Sequence, residues 1–356
     1  MDVAELLGWR KPIEQALEAH FRDLKRTARK EHPDLVPFVE AVSEFTLRGG
    51  KRFRACLLLA GHHLAGGVDQ RSVLPAAAAL ETFQSWMLVH DDIMDHGETR
   101  RGGPTMHVAM AKLHGRRKLS GGDADFGQAM AITLGDLLEP SSVRLFLSCR
   151  APDARIRSLM EEYRSMTERT AYGQVLDVLN GVRPVASVHE KDVLTVHRLK
   201  SAVYTVSSPL RMGAILAGAP RATLDMLQQV GDDLGIAFQL RDDMLGAREV
   251  PGEEGEKSAN DLYEGKRTLL VVHAYAHAGR DGRRSLEKVL GNPLATPEQF
   301  EDAITVLEET GSFAYSEQRI QQLVRRANAR IERSNLGPGR KALLRSIGDL
   351  LTNRTK

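Results

Sequence analysis

Residues 86–107 read WMLVHDDIMDHGETRRGGPTMH, and the fold turns on how this stretch is read. An apolar run with helical three-and-four spacing over 76–89 leads directly into Asp91, Asp92 and Asp95. On a helix, Asp91 and Asp95 stand one turn apart on one face, so two carboxylates can grip a hard cation from the same side. Carboxylates at a helix end are ordinarily solvated surface. Here like charges at this spacing repel, and the preceding turn is wholly apolar, so a cation partner is the better account.

The same period recurs outward in both directions, at 3–28, 55–64, 126–147, 156–179, 193–217, 224–245, 269–277, 297–309, 316–334 and 341–352. Strand-type alternation is scarce. Aromatic residues are only 5% of the 356, while Ala, Leu, Arg and Glu are plentiful, which favours helices because unbranched side chains lose little freedom there. The expectation is an all-α chain of roughly ten or more helices. No linker rich in Pro, Gly or Ser divides it, so residues 1–356 read as a single domain. Two charged, glycine-containing stretches without apolar period, 114–125 and 248–261, read as mobile loops.

Formal charge is +2, from 49 basic and 47 acidic residues, so no global field recruits nucleic acid or an anionic membrane. Cys56 and Cys149 have no CxxC spacing, which argues against zinc or a disulfide framework and suits a reducing compartment. The N-terminus lacks a signal-peptide layout, and no uninterrupted apolar run is long enough for a membrane span. A cytoplasmic protein is expected.

A second acidic pair, Asp242 and Asp243, closes another apolar helix in AFQLRDDMLG, residues 237–246. Two acidic helix ends can hold several magnesium ions, and magnesium is normally completed by substrate phosphates. Positive charge for such a ligand sits in discrete places. Lys51, Arg52 and Arg54 follow a glycine pair in GGKRFR, and Arg100 and Arg101 lie just past the first acidic motif. Lys200 and Ser201 lie in RLKSAVYT, and Lys257 and Lys266 flank NDLYEG. Arginine forks suit bidentate phosphate contact, and lysines act as point charges.

The order GGKRFR, DDIMD with RRGGPT, LKSAVYT, FQLRDDMLG and EGKRT resembles the trans-isoprenyl diphosphate synthase family over roughly residues 48–268. Five ordered motifs are specific where any one is weak. The resemblance implies the isoprenoid synthase fold and a magnesium-dependent prenyltransferase. Such an enzyme joins isopentenyl diphosphate to a dimethylallyl, geranyl or farnesyl diphosphate, commonly as a homodimer with three Mg2+ per active site. By the same resemblance Asp91 and Asp95, supported by Asp92, hold two ions, and Asp242, supported by Asp243, holds the third. Arg100, Lys200, Gln239, Lys257 and Lys266 match positions that bind or shield the allylic diphosphate. Lys51, Arg54, Gln84 and Arg101 match those that hold isopentenyl diphosphate. The family often has histidine at the Gln84 position, although seven residues before Asp91 amounts to only about 20° of helix rotation, which puts Gln84 on the acidic face. Gln174, Lys200 and Ser201 are the polar groups near the developing allylic cation, and no side-chain general base is required.

The second motif departs from the family pattern, with Gly246 where many members carry a third aspartate. Product length is read from the turns before Asp91: Phe83, Trp86 and Met87 form one bulky flank, and Trp86 lies about 7.5 Å along the helix axis from Asp91. A rigid indole there stops a growing tail early. Helix geometry equally permits Trp86 merely to pack against a neighbour. The resemblance decides, since short-chain members of the family often carry an aromatic five residues before this motif. With no insertion inside DDIMD it implies a twenty-carbon product, geranylgeranyl diphosphate, over fifteen-carbon farnesyl diphosphate. A class I terpene cyclase shares the acidic motif and the helices, but its usual second metal motif has no counterpart here. A non-catalytic partner subunit would have lost ligands, and these are intact apart from Gly246.

Overall fold

The computed structural model describes residues 1–248, 261–292 and 294–353. The chain divides into two compact units, one of residues 1–160 and 213–218, the other of 161–212 and 219–356. Among the described residues the architecture is all-α apart from one two-residue hairpin, as the helical periods predict.

The first unit contains α1 (Val3–Gly8), α2 (Arg10–Glu31), α3 (Val36–Leu47), α4 (Phe53–Leu64) and α5 (Leu74–Met94). The hairpin β1 (Thr99–Arg100) and β2 (Gly103–Pro104) follows, then α6 (Met106–Arg117) and α7 (Asp123–Leu147). Helix α5 is the centre of this unit. Ala76, Ala77, Ala78, Ala79, Leu80 and Phe83 are wholly buried, because the helix packs against α2, α4 and α7 and is apolar nearly all round. Small alanines let those neighbours approach closely, and α5 then carries its acidic end out of a rigid core.

Helix α8 (Asp153–Val182) leads by sequence into the second unit. There follow α9 (Glu190–Val196), a π-helical segment (His197–Ser207), α10 (Ser208–Ala217), α11 (Arg221–Gly246), α12 (Leu269–His277), α13 (Arg280–Val289), α14 (Pro297–Glu309), α15 (Ser312–Arg333) and α16 (Pro338–Thr352). Helix α11 is the counterpart of α5, packed against the π segment, α15 and α16. No helix among the described residues is long and apolar enough to cross a membrane.

Three local differences from the sequence reading have physical causes. The expected segment 3–28 breaks at Trp9, because Pro12 has no N–H and its ring would strike the carbonyl of Gly8 in a continuous helix. The loop expected over 114–125 shrinks to 118–122, between α6 and α7. His114, Arg116 and Arg117 form the last turn of α6, and Asp123 and Asp125 the first turn of α7, which are the charges the two helix dipoles favour. Helices α3, α6 and α13 went unpredicted; in α13 only Leu286 and Val289 of its ten residues are buried, too few for a helical period to stand out. The second expected loop, with Lys257, falls almost wholly outside the described residues.

Candidate active site

In the first unit, Asp91 and Asp92 occupy the last turn of α5, and Asp95 is its C-cap. A helix C-terminus carries partial negative charge, so three carboxylates there are electrostatically unfavourable without a cation. Asp92 is 1% exposed. Its Oδ1 accepts from Arg100, through Nε at 2.6 Å and Nη2 at 2.5 Å. Its Oδ2 is buried with no hydrogen bond. Burial pushes its pKa up to about 6, against the pull of Arg100, and Asp91 and Asp95 push the same way.

The two basic segments of this unit adjoin one another. Lys51 is exposed, Arg54 and Gln84 are half-buried, and Arg101 lies against the glycine loop, donating from Nη1 to the carbonyl of Arg48 at 3.4 Å. Arg52 behaves differently from its neighbours. It is 2% exposed, donates from Nη1 to Glu81 at 3.3 Å and to the Thr46 carbonyl at 2.9 Å, and donates from Nη2 to the Leu47 carbonyl at 2.9 Å. Arg52 thus braces the loop from inside and is no ligand-facing cation.

The bulky flank on α5 is locked in place. Phe83 is wholly buried and meets Trp86 edge-to-face at 5.6 Å, while Trp86 meets His90 at 6.3 Å. His90 in turn lies 3.3 Å from the Ile132 carbonyl of α7, a packing contact between the two helices. Met87 is half-buried on the same helix.

In the second unit, Asp242 and Asp243 stand in the last turns of α11, again at a helix C-terminus. Asp243 is buried: Gln239 Nε2 donates to its Oδ1 at 2.9 Å, and His197 Nε2 lies at ion-pair distance, 3.0 Å, from its Oδ2, without hydrogen-bond alignment. Burial works against charging His197, yet Asp243, with Asp177 and Asp261 behind it, raises its pKa above the ordinary value. The π segment presents Lys200 and Ser201, both half-buried. Helix α8 crosses it at Gly173, where a Cβ would overlap the Lys200 backbone. One turn on, Asp177 meets Lys200 Nζ at 2.6 Å. Gln174, also half-buried, is on the same turn of α8. Lys266 pairs with Glu264 and lies 3.5 Å from Asp261. Burial pushes Asp261 up to about 7, against the pull of Lys266.

Sequence reading passed over Arg48, Asp177, His197 and Asp261. His197 and Asp261 lie three and five residues from the basic positions Lys200 and Lys266, but single polar residues within a helical period carry no signal of their own. Asp177 is nearly one turn past Gln174 and looks like any solvated helix acid.

The oxygen-rich donor set suits magnesium, and the orphaned Oδ2 of Asp92 is a buried acceptor awaiting a partner. Among the described residues no three His, Cys, Asp or Glu side chains converge to hold a metal alone. An ion held here would need the rest of its coordination from phosphate and water, as magnesium usually does.

The polyprenyl synthetase family model matches residues 36–307. The chain is 32% identical over 313 residues to geranylfarnesyl diphosphate synthase of Aeropyrum pernix, covering 86% of this chain and 91% of that one. It is 31% identical over 307 residues to geranylgeranyl diphosphate synthase of Methanosarcina mazei, covering 86% of each. Geranylgeranyl pyrophosphate synthase from Corynebacterium glutamicum, solved with isoprenyl diphosphate and magnesium, superposes with a TM-score of 0.90 at 29% identity, over 99% of this chain and 100% of that one.

Proposed function

The chain belongs to the polyprenyl synthetase family, with its all-α isoprenoid synthase fold, and we propose that it makes geranylgeranyl diphosphate as a short-chain all-trans prenyl diphosphate synthase. The observation that carries the reading is the placement of both acidic segments at helix C-termini, where the dipole opposes carboxylates. Cations relieve such an arrangement, and a hard cation with open coordination calls for a phosphorylated ligand.

In this reading residues 1–356 act as one catalytic domain. Asp91 and Asp95 hold two magnesium ions with Asp92 beside them, and Asp242 holds a third with Asp243 in support. When bound, the ions neutralise charge on the departing diphosphate. The chain's own groups do the rest. Arg100, Lys200, Gln239, Lys257 and Lys266 bind or shield the allylic diphosphate, and Lys51, Arg54, Gln84 and Arg101 hold isopentenyl diphosphate. Asp177 fixes the Lys200 ammonium, and His197 and Gln239 fix Asp243, so these charges are set before substrate arrives.

As the allylic C–O bond breaks, Gln174, Lys200 and Ser201 shape the field around the cation, and apolar walls keep water away. The alkene of isopentenyl diphosphate attacks the cation, a new C–C bond forms, and the released pyrophosphate takes the proton. Trp86, held between Phe83 and His90, limits the tail. A cytoplasmic homodimer completes the proposal, by likeness to the family. Mass spectrometry of the products from isopentenyl and dimethylallyl diphosphates tests it. A twenty-carbon diphosphate is the expected product, a fifteen- or twenty-five-carbon one corrects the length alone, and hydrocarbon or no product overturns the reaction class.

A further inference from the structure

Arg48 ends α3 immediately before the glycine pair of GGKRFR, and its planar guanidinium is used on two sides. Nε donates to Glu44 Oε1 at 2.7 Å and Nη2 to Glu44 Oε2 at 2.5 Å, a bidentate grip on α3. Nη1 reaches across to the hairpin, donating to the carbonyls of Arg100 at 3.1 Å and Pro104 at 2.9 Å, one on each strand. The fit is close enough that a Cβ at Gly103 would overlap the guanidinium. The hairpin answers in kind. Arg101 donates back to the Arg48 carbonyl, and its own guanidinium lies so near the loop that a Cβ at Gly50 would come within 3.3 Å.

Arg101 and Gly102 have φ of +54° and +73°, the positive pair that marks a type I′ turn. A non-glycine residue keeps such a conformation only where its surroundings hold it. The clasp through Arg48 is that surrounding.

These contacts join the two segments that the functional reading assigns to diphosphate: the loop with Lys51 and Arg54, and the hairpin with Arg100 and Arg101. We propose that Arg48 is a positioning residue that sets the spacing between these cations, so that isopentenyl diphosphate meets Lys51, Arg54 and Arg101 as one preformed site. The proposal rests on the diphosphate reading above. Arg48 itself touches no reacting atom, since its head is committed to Glu44 and two carbonyls. Lysine cannot do the same, because one ammonium cannot span both the carboxylate edge and the two strands.

The test measures isopentenyl diphosphate binding to the magnesium-free protein by calorimetry, with KM and kcat in the complete assay, for wild type, Arg48→Met and Arg48→Lys. Arg48→Met is expected to weaken binding and raise KM for isopentenyl diphosphate by about tenfold or more, with kcat within about threefold, the pattern of lost ground-state binding. Arg48→Lys should fall between, and amide hydrogen exchange over residues 97–106 should quicken in step. Should Arg48→Met not fold, Arg48→Lys carries the same comparison. A folded variant with unchanged affinity, even with a loosened hairpin, overturns the proposal alone. A wild-type protein that binds no isopentenyl diphosphate overturns the functional reading first, and the proposal with it.

Discussion

Arg100 grips a single oxygen of Asp92, with Nε at 2.6 Å and Nη2 at 2.5 Å, and leaves Oδ2 buried without a hydrogen bond. One half of this carboxylate is therefore neutralised by the protein and the other half is kept for something else. Removing the guanidinium should leave a buried, uncompensated acid. Arg100→Met is expected to destabilise the fold by about 1–3 kcal/mol, read by urea unfolding, and to raise the magnesium concentration needed for half-maximal rate. Unchanged stability and unchanged metal demand would show that Asp92 does not depend on this pair.

Trp86 is fixed edge-to-face between Phe83 and His90, with Phe83 itself wholly buried. Trp86→Ala should shift products to longer chains while metal dependence stays intact, and Phe83→Ala should do so less, at the added cost of a core cavity of about 3–5 kcal/mol. Chromatography of the chain-length distribution checks this. An active Trp86→Ala protein with the parent's distribution means the indole is not the floor.

A Cβ at Gly246 would stand 3.4 Å from Asp261 Oδ2, so the carboxylate that many relatives carry at this position would here face another acid. Gly246→Asp should change turnover by less than about tenfold, with no gain, because no missing transition-state contact is supplied. Its melting temperature should fall and recover in part when combined with Asp261→Asn, a double-mutant cycle for like-charge repulsion. A large rise in turnover would mark the parent as an impaired form.

Much of this was legible in the sequence because α5 and α11 are long, strongly periodic and end in paired acids. The glycine pair before Lys51 and the RRGG turn were equally plain. What stayed hidden were contacts between segments far apart in sequence. Glu81 gives no hint that it buries Arg52, and Arg48 reads as one more surface cation before a glycine pair. The π winding of 197–207 was hidden too, since its apolar spacing passes for an ordinary helix. The break at Trp9 was readable from Pro12, had its clash with the preceding turn been given weight over the apolar period.

His20 is buried without a hydrogen bond to Nε2, and burial, aided by Arg144, lowers its pKa from 6.5 to about 4. The folded state keeps this ring neutral where the unfolded chain protonates it. Stability from this site is therefore complete above pH 6.5 and is lost as pH falls from 6.5 towards 4, by at most about 3 kcal/mol. His20→Leu should flatten that part of the stability profile in chemical denaturation between pH 4 and 7. A slope identical to wild type would place the pH dependence elsewhere.

The central claim is that the acidic ends of α5 and α11 hold the metals for prenyl transfer, and the most direct measurement is single-turnover elongation with labelled isopentenyl diphosphate. Wild type, Asp91→Ala and Asp242→Ala are compared, each shown to be folded and each assayed with magnesium and after chelation. The account predicts that wild type is active only with magnesium or manganese, and that each substitution lowers the rate by about 10³ or more, roughly 4 kcal/mol of transition-state stabilisation. A folded Asp91→Ala protein that elongates at the wild-type rate, or wild-type turnover that survives chelation, would contradict it.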